Sequence, residues 1–319
     1  MSVPTPKTGV ILFNLGGPKT LQDVRGFLFN LFSDKAIIGA PALIRYPLAL
    51  LISTLRNKKA QGIYSAIGGG SPLLEKTQEQ ASALQKTLGD NFKVVIAMRY
   101  AAPRAKEAVA ALKTWGAERI VYLPMYPQYS FSTTQSSFAE ADTYTHEWPV
   151  FGIRAYPELP GFVESMAALI KPAYEKLKNE TGQTPRLLLS AHGLPEKMII
   201  AGDPYAGHCQ QSAHAIVKAL GIPDFDWVLC YQSRVGPLEW IKPYTEDEIA
   251  TAGTDKKPIL IAPLAFTADN SETVYEIDQL YRDLALEKGC AGFASVPCVG
   301  TAAPFIEGLA KLVKEAQNA

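Results

Sequence analysis

Two stretches of the chain carry residues that could handle protons or a metal together. RLLLSAHGLP (residues 186–195) runs through apolar residues to His192, which stands beside Gly193 and Pro195. An imidazole so placed sits at the mouth of a strand, neither deep in a core nor free on a surface. With an ordinary pKa of about 6.5, it can accept a proton or offer a nitrogen to a divalent metal at neutral pH. TADNSETVYEIDQLY (267–281) reads as a helix start. Asp269, Asn270 or Ser271 can cap it, Glu272 lies in its first turn, and Glu276 follows one turn along on the same face. The two glutamates, with Asp269, would form an acidic line. The plainer alternatives are a surface helix whose acids suit its macrodipole and a histidine that bonds a neighbouring carbonyl.

These residues need elements to hold them. Short β-branched apolar runs alternate with helical patterns, the signature of βα units around a parallel sheet. Eight runs stand out, at 9–18, 93–103, 119–130 and 150–160, then at 186–195, 226–237, 258–270 and 292–300. The two sets resemble each other. Each first run ends in a Gly and Pro turn, each second in a Tyr and Arg cluster before a proline, and each third passes through Leu-Pro or Pro-Leu into Ser, Thr or Asn. The expectation is an α/β chain of two similar Rossmann-like, doubly wound lobes, each with a parallel four-stranded sheet, facing a cleft. The boundary falls near the helix that starts around Gly161, giving lobes 1–160 and 161–319, with the last helix free to pack back on the first lobe. Ligands of such folds bind beyond the carboxyl ends of the strands, where the polar and aromatic residues of these runs lie.

Composition narrows the function. Lys plus Arg and Asp plus Glu both number 31 of 319 residues, so no net field draws a polyanion and nucleic acid is not an expected partner. The start, MSVPTPKTG, lacks the basic and apolar regions of a secretory signal, and a cytoplasmic location is expected. The most apolar window, Ile37 to Ile52, contains Arg45 and two prolines and is too broken to span a membrane. It is either a packed helical hairpin or, within an apolar lip near residues 27–55 and followed by Arg56, Lys58 and Lys59, a surface for peripheral membrane contact. Cys209, Cys230, Cys290 and Cys298 form no C-x-x-C pair and read as reduced and structural. His208, Cys209 and His214 do not share a helix face, so they are not a ligand set. No P-loop, dinucleotide fingerprint or nucleophile elbow occurs. IGGGSPL (67–73) could cradle an anion at a helix start or could simply be a structural turn.

The ordered set NLGGP, FLFNLFSD, IGGGSPL, MRYAAP, LPMYPQYSFSTT, SAHGLP with GDPY behind it, YQSRVGPLEWIKPYT and Asp-x-x-Glu-Thr resembles the ferrochelatase family. The resemblance runs from residue 9 to residue 282. It implies insertion of ferrous iron, as a substrate, into a porphyrin held between the lobes, with no nucleotide and no permanently bound cofactor. The porphyrin must lose two pyrrole N–H protons as the metal enters, so a basic group must reach the ring centre. On this resemblance His192 and Glu272 are the catalytic and metal-binding residues, with their division of labour left open. Leu15 and Tyr126 are expected to wall the macrocycle, with the 27–31 segment beside them, while Arg99, Tyr100, Ser71 and Ser233 occupy positions similar to family residues that line or anchor it.

Departures from the family pattern bear on the details. Asn270 stands where relatives of the mitochondrial enzyme carry a histidine, and it cannot titrate. Leu280 replaces a third acid beyond Glu276. Phe131 replaces a cysteine of the iron–sulfur branch, whose C-terminal cysteines are also lacking after Cys298, so no [2Fe–2S] cluster is expected. Leu15 stands where the coproporphyrin branch commonly has tyrosine, which favours protoporphyrin IX over coproporphyrin III. Rival readings are a cobalt or nickel chelatase, disfavoured by a single strand-end histidine, and a porphyrin or heme carrier that has lost activity, suggested by Asn270. Monomer and homodimer are both open.

Overall fold

A computed structural model of the chain describes residues 6–317. It divides into two compact units, one running to Ala155 and resuming at Ile306, the other spanning Tyr156–Phe305. The first unit contains β1 (Thr8–Asn14), α1 (Val24–Phe32), α2 (Ala42–Ala66), α3 (Leu73–Leu88), β2 (Phe92–Met98), α4 (Ala105–Trp115), β3 (Arg119–Pro124), α5 (Ser136–Asp142) and β4 (Val150–Gly152). The second contains α6 (Pro160–Thr181), β5 (Arg186–His192), α7 (Glu196–Ile200), α8 (Tyr205–Leu220), β6 (Trp227–Gln232), α9 (Thr245–Thr254), β7 (Ile259–Pro263), α10 (Arg282–Lys288) and β8 (Phe293–Ser295). Most of α11 (Ala303–Ala316) belongs to the first unit, where Thr8 Oγ1 lies 3.0 Å from Gln317 Oε1.

Each unit has a four-stranded, wholly parallel sheet, in the orders β2-β1-β3-β4 and β6-β5-β7-β8. Central strands of such sheets are covered on both faces, which is why they read as continuous apolar runs rather than alternating ones. In β1, Ile11 and Phe13 pack with α4 and α5, and the opposite-facing Val10 and Leu12 are fully buried too. In β5, Leu188 packs with α9 and α10, and Leu187 and Leu189 are buried on the other face.

The likeness between the halves extends to individual backbone hydrogen bonds. Met98 N donates to Pro103 O as Tyr231 N does to Pro243 O; Met125 N donates to Phe13 O as Leu264 N does to Ser190 O; Ile153 N donates to Tyr122 O as Val296 N does to Ile261 O. Phe13 is in register with Pro124, and Ser190 with Pro263. Two residues further on, Leu15 therefore holds the place in the first unit that His192 holds in the second. A π-helical segment follows the third strand in both, at Phe131–Gln135 and Glu272–Tyr281.

Two sequence features find a packing explanation here. The glycine-rich turn docks on the turn after β1: Ser71 N donates to Pro18 O, and a Cβ at Gly70 would sit 2.3 Å from the Lys19 carbonyl oxygen. The apolar window enters α2, which packs on α1 through Val24, Leu28 and Tyr64. Its other face still exposes Leu43, Ile44, Leu51 and Leu55. Among the described residues no helix is long and apolar enough to cross a membrane.

Candidate active site

His192 is the last residue of β5, the central strand of its sheet. Beneath it, Ser190 Oγ lies 2.6 Å from Gln232 Oε1 on β6, so the strand end is tied sideways before the imidazole emerges. The ring keeps about a third of its surface open, 37% by side chain. Trp240, buried, meets it edge to face with centroids 6.3 Å apart.

Glu272 comes from the loop beyond β7. Asn270 Oδ1 accepts from Glu272 N at 2.8 Å, capping the π-helical segment at its first residue. A π-helix closes its hydrogen bonds five residues along and so turns more widely than an α-helix, which leaves positions 272 and 276 close to one line. Glu272 Oε2 lies 2.8 Å from His192 Nδ1. Ser233, at the end of β6, links the two glutamates. Its N–H donates to Glu276 Oε1 at 3.0 Å, and its hydroxyl lies 2.9 Å from Glu272 Oε2 and also within reach of Glu276 Oε2. That hydroxyl has one proton and can donate to only one carboxylate at a time. Ser233 adopts φ +67°, a left-handed conformation costly for a residue with a Cβ and kept here by these contacts. Tyr281 Oη donates to Glu276 Oε1 at 2.9 Å.

The electrostatics follow from this arrangement. Burial disfavours the imidazolium of His192, but the Glu272 carboxylate outweighs it and lifts the His192 pKa above its ordinary value. Burial alone would raise Glu272; the charge and hydrogen bond of His192, with Ser233, bring it below the usual carboxylate value. Glu276 moves the other way, raised first by burial and then by the Glu272 charge. Two neighbouring carboxylates are thus driven apart in proton affinity, the arrangement acid–base sites use. Among the described residues no group of three or more His, Cys, Asp or Glu is placed to hold a metal. His192 and Glu272 supply two donors.

Asp269 lies beside this group but is turned to structural work: its Oδ1 accepts from Cys298 N at 3.1 Å and from Thr273 Oγ1 at 3.2 Å. The remaining site candidates belong to the first unit. Leu15 is half-buried against the cluster that contains Tyr126. Ser71 Oγ accepts from Leu73 N at 3.3 Å, at the start of α3. Arg99 is heavily engaged: Nη2 lies 2.8 Å from Asp34, Nε donates to Ser136 Oγ at 2.8 Å, and Nη1 reaches Glu140 at 3.3 Å. Tyr100 is buried and donates to the same Asp34 at 2.8 Å. Asp34 and Glu140 escaped the sequence reading, although Asp34 ends the conspicuous FLFNLFSD run. Trp240 escaped it too, since an aromatic in a loop carries no period to mark it.

The sequence comparisons with known proteins agree on one family. The family model for ferrochelatase matches residues 7–317. The ferrochelatase of Caulobacter vibrioides (strain NA1000 / CB15N) is 48% identical over 317 residues, covering 98% of this chain and 90% of the relative. That of Rickettsia felis is 44% identical over 317 residues, covering 98% and 91%. Among solved structures, SirB from Bacillus subtilis with Fe3+ superposes with a TM-score of 0.54 at 13% identity, covering 97% of this chain and 95% of the other, a likeness of fold alone. With a histidine and a carboxylate joined at the end of a central parallel strand, and a match along nearly its whole length, the chain belongs to the ferrochelatase family.

Proposed function

We propose that the protein inserts Fe²⁺ into protoporphyrin IX, forming protoheme and releasing the two pyrrole protons. The observation that carries this reading is the 2.8 Å contact between His192 Nδ1 and Glu272 Oε2 in a chain of this family. A metal in transit needs few protein ligands, because the four ring nitrogens complete its coordination. Two donors from the protein suit a substrate metal better than a resident one. Iron remains ferrous throughout, so charge balances with two protons leaving and no electron carrier is required.

The protonation states support a division of labour. Glu272, held ionised by His192, is suited to receive a dication. Glu276, with its raised proton affinity one turn along, is suited to take a proton passed from the ring through this group. Metal binding to His192 displaces its proton, which makes uptake favour higher pH. Leu15 at the position matching His192 offers packing and no ligand oxygen, which supports protoporphyrin over coproporphyrin. Asn270 does not by itself argue for an inactive carrier, because it caps the segment that carries Glu272. The exposed leucines of α2, with Arg56, Lys58 and Lys59 on a helix that has no acidic residue, support peripheral contact with an anionic membrane.

The test is purified protein with anaerobic Fe²⁺, or Zn²⁺ as surrogate, and either protoporphyrin IX or coproporphyrin III. Turnover should be faster with protoporphyrin and lost in His192→Ala. Tight porphyrin binding without turnover would favour the carrier. Faster turnover of coproporphyrin would overturn the substrate.

A further inference from the structure

The direction of the His192 ring depends on how the peptide at the end of β5 is held as well as on the ring's own contacts with Glu272 and Trp240. β7 is last in register with β5 at Pro263 opposite Ser190, and the last bond on that side runs from Leu264 N to Ser190 O. Carbonyls two residues apart on a strand face the same neighbour, so the carbonyl of His192 points past the end of β7. A half-buried carbonyl there needs a donor. Tyr205 provides it, its Oη donating to His192 O at 2.9 Å. On the opposite edge of the same peptide unit, Gly193 N donates to Gln232 O at 2.9 Å.

The peptide plane that follows His192 is thus held from both sides. A planar peptide fixed at its oxygen and its nitrogen limits rotation about the bond from the His192 Cα, and with it the direction of Cβ and the ring. Tyr205 is itself well anchored. It opens α8, its N–H is capped by Asp203 Oδ1 at 3.0 Å, and its side chain is buried. The first unit supplies a contrast. The carbonyl of Leu15, in the matching place, is taken by a backbone group, Tyr100 N at 2.9 Å. A side-chain clamp is found in the half that carries the imidazole.

We propose that Tyr205 is a positioning residue, whose hydroxyl orients His192 toward Glu272 by clamping the His192–Gly193 peptide. The effect on catalysis rests on the reading of His192 as the group that meets the metal or the ring protons; the orientation of the ring does not.

Tyr205→Phe keeps the buried ring and removes only the hydroxyl. With Zn²⁺ and protoporphyrin IX, kcat is expected to fall about tenfold while the porphyrin KM stays within about twofold, since misplacing a reacting group costs rate rather than ring binding. The control is Ser212→Ala on the same helix, which removes a hydroxyl-to-carbonyl bond of 2.7 Å to Pro157. It should lose comparable thermal stability and keep its kcat. In parallel, the His192 ring resonances of isotope-labelled Tyr205→Phe should shift or broaden, as the ring samples positions away from Glu272. Unchanged His192 resonances, or equal loss of kcat in the two variants, would overturn the clamp. Activity persisting in His192→Ala would instead bring down the catalytic reading, and the resonances would still decide the clamp.

Discussion

His192 and Glu272 lie 80 positions apart in the chain, yet their side chains meet at 2.8 Å. Each alters the other's proton affinity, and neither β5 nor the segment after β7 would show this alone. The pairing is the product of two strands lying side by side in register.

Replacing Glu272 by Gln keeps the shape of the side chain and removes its charge. Metal insertion should fall by roughly 10²-fold or more, the scale of a lost acid–base partner. The His192 pKa should fall as well, because the carboxylate that lifts it is gone. A proton NMR titration of the ring in both proteins reads this directly, and an unshifted midpoint would remove the coupling.

Glu276 offers a test of sign. Its folded-state pKa is raised, so the native state favours its protonated form, and stability is lost as pH climbs from the ordinary glutamate value through the raised one. Glu276→Gln is neutral at every pH. It should therefore be more stable than the parent near pH 7, with the difference shrinking below the ordinary value of about 4.3. Thermal melts at both pH values check it. In the His192–Glu272 pair, His192 follows the sign of Glu276 and Glu272 the opposite one. The pair's contribution is fullest between the ordinary values of the two groups, fading as pH falls through the lowered Glu272 pKa and as it rises through the raised His192 pKa.

Asp34 accepts from Arg99, Tyr100, Ser136 and the Ala36 N–H. Burial works against its charge, but Ser136, the Ala36 N–H and Arg99 together hold its carboxyl below the usual range. Asp34→Ala takes one carboxylate from Arg99, which keeps Glu140 and Ser136, and leaves the Tyr100 and Ser136 hydroxyls without their acceptor, a loss of about 3 kcal/mol. Urea denaturation should report this with activity per folded molecule falling far less than in Glu272→Gln.

The α2 surface predicts loss of binding to anionic liposomes when Leu48 and Leu51 are both changed to Glu. Both positions are solvent-exposed, at 36% and 56%, so the fold should tolerate the change. Flotation with and without anionic lipid separates a membrane surface from a merely uncovered helix, for which the variant would behave as the parent.

The α/β class and the repeat were legible because the central parallel strands β1, β3, β5 and β7, buried on both faces, leave unbroken apolar runs that local composition cannot hide. His192 and Glu272 were legible as candidates because Gly and Pro turns and helix caps mark strand exits. The engagement of Arg99 with Asp34 and Glu140 was not, since contacts between positions so far apart leave no spacing to read: 41 from Arg99 to Glu140, and 66 from Asp34 to Tyr100. Nor was the role of Asn270: its type tells that it cannot titrate, but only the structure shows its side chain on the Glu272 N–H.

By itself the sequence determined which groups could ever carry protons or meet a metal, and that they would stand at strand ends, because residue chemistry and hydrophobic period are local properties. Tertiary structure decided which of them meet, which are spent on neighbours, and which way each proton affinity moves. Those depend on distances and burial that arise only when separate strands come into register.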